Sequence, residues 1–166
     1  MKKLIVLILM ALFMGCNDDV IKEDQPDDTL KSGKIVERNL VLRNLQGSFT
    51  YEANPGNEEC PLIGITFGTG NATHLGKINF QHKYCCNETG YPLFYIEGSV
   101  VAANGDKFFT MVTEEWVDED GLNHQHSEIT GGTGRFEDCT GELTMTVSVD
   151  WVNMSFIAEG FGTISY

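Results

Sequence analysis

The chain has 166 residues, with 24 acidic against 11 basic side chains, a net charge of −13 and 42% apolar residues. That length suits one domain rather than two cores and a long linker. The acidity argues against a phosphate-binding surface and against docking on anionic lipid through a basic stripe, so no nucleic-acid partner is expected. Eighteen Gly with only four Pro exclude collagen-like and wholly disordered chains.

Met1-Lys2-Lys3 is a short positive start, and Leu4 to Met14 is an unbroken apolar run. The run is too short to span a bilayer, which takes about 20 residues, and reads as the core of a secretory signal. Its end, Leu12-Phe13-Met14-Gly15-Cys16, resembles the lipobox of bacterial lipoproteins. That resemblance implies cleavage before Cys16, acylation of Cys16 with palmitate-type chains, and membrane attachment through the lipid. The other reading is an ordinary signal peptide followed by a chance Cys. Residues 17–34 carry six acids, three Lys and one Pro, a composition suited to a disordered tether. The acids directly after Cys16 resemble the surface-export signal of lipoproteins in the Bacteroidetes, and Asp28-Thr29-Leu30 resembles that phylum's short O-glycosylation motif. The expected division is a signal peptide over 1–15, a lipidated acidic tether over 16–34 and a β domain over 35–166. The expected location is the outer membrane, with periplasmic or outward orientation left open.

From Val36 onward the pattern has a period of two. Leu143, Met145, Val147, Val149 and Trp151 alternate with polar residues, as on a strand with one buried face. Ile78, Phe80, His82 and Tyr84 share a second such face, and Ile63, Ile65 and Phe67 mark another strand. Asn104-Gly105, Asp120-Gly121 and the Gly131–Gly134 cluster separate the runs as turns. The spacing predicts eight strands at 36–52, 62–67, 75–85, 91–103, 106–117, 122–130, 140–151 and 154–166. Consecutive hairpins favour an all-β, eight-stranded antiparallel up-and-down barrel, which removes exposed edges and can hold one small ligand. A β-sandwich is the alternative. Phe108, Val112 and Trp116 are expected on one face of the fifth strand, and Phe109, Met111 and Val117 on the other. Apolar residues on both faces suggest a homo-oligomer.

Two segments carry a family resemblance. Gly68 to Lys77 resembles a glycine-rich strand-entry motif of secreted bacterial β-barrel proteins. Thr130-Gly131-Gly132-Thr133-Gly134-Arg135-Phe136, followed by Thr140-Gly141, resembles a turn of the allene oxide cyclase and dirigent-like barrels, and Glu159 to Ile164 is similar to their last strand. The resemblance implies an eight-stranded antiparallel barrel with an apolar cavity, and trimers among the plant members. It places no catalytic residue on this chain, so the catalytic residues stay unknown.

Four Cys remain beyond Cys16. Export makes disulfides expected among Cys60, Cys85, Cys86 and Cys139. Cys85 and Cys86 should point to opposite sides of their strand. Two bridges are then open, Cys60 with one of them and Cys139 with the other, or one bridge with a free thiol.

Three groups carry potential chemistry. His124, His126 and Glu128 fall on one strand face, at a spacing that could bind Zn²⁺. A polar outer face is the plainer reading of the same pattern. His82, Tyr95 and Glu97 lie beside apolar neighbours and would be the polar points of a barrel cavity. The acidic run Glu114 to Asp120 lacks a calcium-loop pattern and reads as a solvated hairpin. No nucleophile elbow, phosphate loop or cofactor motif is present, so no cofactor is expected. The function expected is a membrane-anchored binding module for a small apolar ligand or a protein partner. The alternatives are a cyclase- or isomerase-like enzyme using polar cavity groups, or a structural protein with a filled barrel.

Overall fold

The computed structural model describes residues 35–93 and 96–166. Eight strands run in chain order: β1 Glu37–Ala53, β2 Leu62–Ala72, β3 Gly76–Cys86, β4 Ile96–Val101, β5 Lys107–Val117, β6 Asn123–Gly132, β7 Thr140–Asp150 and β8 Ser155–Ser165. Each pairs antiparallel with its sequence neighbours, and β8 closes onto β1, giving one closed barrel. The expected up-and-down barrel is therefore the observed fold, and the sandwich is not. The barrel closes through all eight strands, although the short β4 pairs only with Asn79–Lys83 of β3 and Lys107–Val112 of β5, so the outer ends of those two strands extend beyond its ladder.

Among the described strands the register slips at three places, Arg43/Gln46 in β1 and Phe108/Thr110 and Val112/Glu114 in β5, and the first and last of these decide which cavity-side residues face inward. In β1 the register slips between Arg43 and Gln46, where Asn44 adopts a left-handed φ of 53°. The extra residue lets Leu42 and Leu45 both be buried although their spacing is three. In β5 the register slips between Val112 and Glu114. Phe108, Thr110 and Val112 are buried, but beyond the bulge the alternation reverses. Glu115 and Val117 then face the interior while Trp116 lies outside, stacked on His124. The sequence expectation that Trp116 shares a face with Phe108 and Val112 is thus corrected.

In β2 the small residues, not the large ones, face inward. Ile63, Ile65 and Phe67 face outward, and Gly64, Thr66, Gly68, Gly70 and Ala72 form the inner row. These small residues leave room for the large inward side chains of β3, namely Ile78, Phe80, His82 and Tyr84. Packing requires that kind of volume match between facing rows.

The interior is filled at one end only. The core cluster gathers Leu40, Ile78, Val100, Phe108, Phe136 and Ile164, among others, near the ends of the strands that meet at the turns after β2, β4 and β6. Phe136 comes from a short 3-10 turn, Gly134–Phe136, that lies across this end. It is fully buried, with its ring 5.7 Å from Phe108 and 4.9 Å from Tyr166. Arg135 covers it from outside, 4.6 Å from the ring centroid. The glycine-rich Thr130–Phe136 segment is therefore the plug of the closed end.

Candidate functional site

The opposite end opens into a cavity of about 480 Å³. Its walls differ. On β1, β7 and β8 the lining is mainly apolar, with Leu45, Phe49, Met145, Val147, Val149 and Phe156. Across β2 to β6 it is largely polar. Register places Thr66, His82, Gly98 and Thr110 as successive cross-strand partners on β2, β3, β4 and β5. One row of residues thus crosses four strands, spanning about 14 Å at the usual strand separation, with side chains from three of them and the Gly98 backbone between. Tyr84, two residues beyond His82, brings its hydroxyl to 3.2 Å from Thr66 Oγ1.

Glycines position the two ring-bearing groups. A Cβ on Gly98 would overlap the His82 ring, and one on Gly64 would overlap the Tyr84 ring. Each ring lies against the backbone of its cross-strand partner, an arrangement only glycine permits. The imidazole Nε2 of His82 is 3.5 Å from Thr110 Oγ1. His82 borders the empty volume, yet protein surrounds it on nearly every other side, and burial lowers its pKa to about 4. It is therefore neutral near pH 7, able to donate from one ring nitrogen and accept at the other. Burial raises the Tyr84 pKa, so the phenol stays protonated.

Ser127 completes the polar wall. It is 1% exposed, lines the cavity, and its Oγ has no hydrogen-bond partner. Buried hydroxyls are nearly always paired, so this one stands out. Toward the mouth, Gln125 Nε2 donates to Glu115 Oε1 over 2.6 Å. Among the described lining residues none is Lys or Arg. Trp151 and Tyr91 stand at the rim, 67% and 68% exposed.

Of the expected cavity groups, His82 lines the cavity and Glu97 does not. Glu97 is exposed, because β4 begins only at Ile96, whose side chain is the buried one. Pro92 makes just an isolated bridge to Cys86, so the strand assumed to run on from Tyr91 does not start there. Tyr95 and Cys16 lie outside the described residues. Thr66, Thr110 and Ser127 were not singled out from the sequence. The sign was the strand partner of each, which only register supplies.

The His124, His126 and Glu128 face is the outer one, since Asn123, Gln125 and Ser127 line the cavity. His124 Nε2 donates to Asp118 Oδ2 over 2.8 Å, leaving Nδ1 to accept from the Thr146 hydroxyl at 3.2 Å. His126 Nδ1 lies 3.3 Å from Thr144 Oγ1, and its Nε2 lies 3.9 Å from Glu142. The two imidazoles thus have separate partners. Among the described residues no group of three His, Cys, Asp or Glu side chains is placed to hold a metal ion. The expected zinc set is not assembled, because cross-strand neighbours take up the ring nitrogens.

The four cysteines among the described residues form one bridge, Cys60–Cys85, while Cys86 and Cys139 are free and buried. The expected pairing of Cys139 fails for a geometric reason. Cys86 ends β3 at the open end, whereas Cys139 immediately precedes β7 at the closed end, and an 11-residue strand separates those ends by about 33 Å. The Cys60–Cys85 bridge ties the loop between β1 and β2 to the rim of the cavity.

No family model matches the chain, and no curated protein sequence matches it. Among solved structures it is similar to the pterocarpan synthase dirigent protein GePTS1, with 15% identity, a TM-score of 0.52, and coverage of 89% of this chain and 98% of that one. The pterocarpan synthase dirigent protein PsPTS1 is also similar, at 12% identity, a TM-score of 0.45, and coverage of 81% of this chain and 96% of that one. The chain shares with the first of these the dirigent-like eight-stranded barrel fold, and at 15% identity the likeness reaches the fold alone.

Proposed function

We propose that this protein is an exported, lipid-anchored binding module that holds one small ligand in the open half of its barrel. The observation that carries the reading is the cavity itself: about 480 Å³, within the usual range for ligand sites, mainly apolar on one side, and with a few converging polar groups on the other. A structural role would favour filling that volume, because a packed interior is more stable than a hollow one. Native mass spectrometry of the protein purified from its own host tests the binding. The expected spectrum shows one small-molecule adduct, absent from a Met145→Trp variant that fills the cavity; a bare wild-type mass would contradict it.

The anchor is tested separately. Labelling with a radioactive fatty acid should mark the wild type and not Cys16→Ser, and an unlabelled wild type would remove the lipoprotein reading. The same experiment bears on the outer-membrane location, since multiple acyl chains are what give stable attachment. A homo-oligomer is supported by the exposed Phe67, Phe109 and Phe161 on the outer face, and a monomeric mass by light scattering would refute it.

A second reading, proton-transfer catalysis of the cyclase or isomerase type, is favoured by one observation. His82 is an uncharged imidazole at the edge of empty volume, the placement that a general acid or base needs. Loss of turnover in His82→Gln with ligand affinity retained would support it, and unchanged turnover would exclude it.

A further inference from the structure

We propose that the cavity selects a neutral, two-faced ligand: an apolar body with one hydroxyl-bearing edge, the hydroxyl bonded by Ser127, and that it rejects carboxylates. The inference rests on the binding reading above and specifies its ligand class.

Three observations converge on it. First, the two walls differ in kind. The side chains from β7 and β8 that reach deep into the cavity, Met145, Val147, Phe156 and Ala158, offer no hydrogen bond. The facing row offers Thr66, His82 and Thr110. A ligand apolar all round would strand that row, and one polar all round would lose the apolar wall.

Second, Ser127 lies where the two walls meet. It pairs with Val112 of β5 on one side and Leu143 of β7 on the other. Its Oγ is buried in the lining with no partner. A hydroxyl offers both a donor and acceptors, and a ligand hydroxyl here can use either. The neighbouring polar atoms already have partial satisfaction, since Tyr84 meets Thr66 and His82 approaches Thr110. Ser127 Oγ is the lining hydroxyl left without a partner.

Third, the charge is wrong for an anion. Among the described residues the lining has no Lys or Arg, and Glu115 stands toward the mouth. The chain from residue 35 onward carries 18 acids against 6 bases, a net −12. A buried carboxylate would lack a counter-charge and would approach through a repulsive field. A neutral hydroxyl pays neither cost.

Isothermal calorimetry near neutral pH on the full chain tests this with two compounds of one skeleton, 2-naphthalenemethanol and 2-naphthoate. The alcohol should bind at least about tenfold more tightly than the carboxylate. Ser127→Ala should weaken the alcohol by about three- to tenfold, the range of one hydrogen bond. Its melting temperature should not fall, because the hydroxyl removed has no partner in the protein. If 2-naphthoate binds as tightly as the alcohol, or if Ser127→Ala leaves the alcohol unchanged, the inference fails and the binding reading stands. If neither compound binds, the binding reading falls and this inference with it.

Discussion

At the closed end of the barrel Phe108, Phe136 and Ile164 are wholly buried, and Phe136 seals the interior. At the open end Trp151, Tyr91 and Val117 are about two-thirds exposed and border unfilled space. The same eight strands build both. The difference lies in the connections and in the inward side chains. The closed end has tight turns, such as Asn104-Gly105 with Gly105 at φ 90°, and one plug. The open end has a longer link over residues 54–61, which the Cys60–Cys85 bridge ties to the end of β3. Dense packing and open volume are thereby assigned to different ends. A closed barrel permits this, because its backbone hydrogen bonds hold the open half in shape without a full core.

The sharpest way to break that contrast is to truncate each end. Phe136→Ala should cost about 3–5 kcal/mol of unfolding free energy, and Val149→Ala on the cavity wall about 1 kcal/mol. Equal losses in chemical denaturation would mean that the ends are packed alike. Next in size, reducing Cys60–Cys85, with a sequence separation of 25, should cost about 2–4 kcal/mol. Thiol titration should find Cys86 and Cys139 unreactive until the protein unfolds; fast reaction of both in the native state would argue against their burial.

Acid should act through the open end. His82 has a folded pKa of about 4, below its ordinary 6.5. The unfolded chain therefore takes up a proton that the folded chain refuses. Stability is unaffected above about pH 6.5, falls as pH drops from there to about 4, and levels off below. The full loss is at most about 3–4 kcal/mol, less to the extent that water in the cavity screens the ring. His82→Gln should flatten this part of the pH profile, and an identical profile would show that the ring is not buried. A smaller effect follows from Gly98→Ala. The added methyl must displace the His82 ring, at a cost of about 1–3 kcal/mol, whereas Gly105→Ala meets no atom and costs only its backbone strain.

Much of this architecture was readable from residue pattern. The turn dipeptides marked the strand breaks, and strict alternation from Ile78 to Tyr84 correctly put His82 among inward neighbours. Reading failed where alternation breaks. The β5 bulge turned Trp116 outward and Glu115 inward, and nothing in Val112-Thr113-Glu114 announces an extra residue. In β1 the bulge had a visible mark, Asn44, which accepts a left-handed backbone. Glu97 was misplaced because parity was carried through Pro92. Ser127 was passed over because residues 123–128 are polar on both faces, so period two could not say which face is wet. The zinc expectation followed from that same ambiguity. Cysteine pairing depended on which end of the barrel each residue occupies, and that is a property of topology rather than of spacing.

If the open half of the barrel holds a ligand, it should also accept a small neutral aromatic probe. Titration with the neutral solvatochromic probe 6-propionyl-2-dimethylaminonaphthalene tests it most directly, comparing wild type with Met145→Trp. The wild type should bind one probe with a blue-shifted emission, and Met145→Trp should fold normally and bind none. No blue shift with the wild type, or equal binding by the filled variant, would contradict the claim.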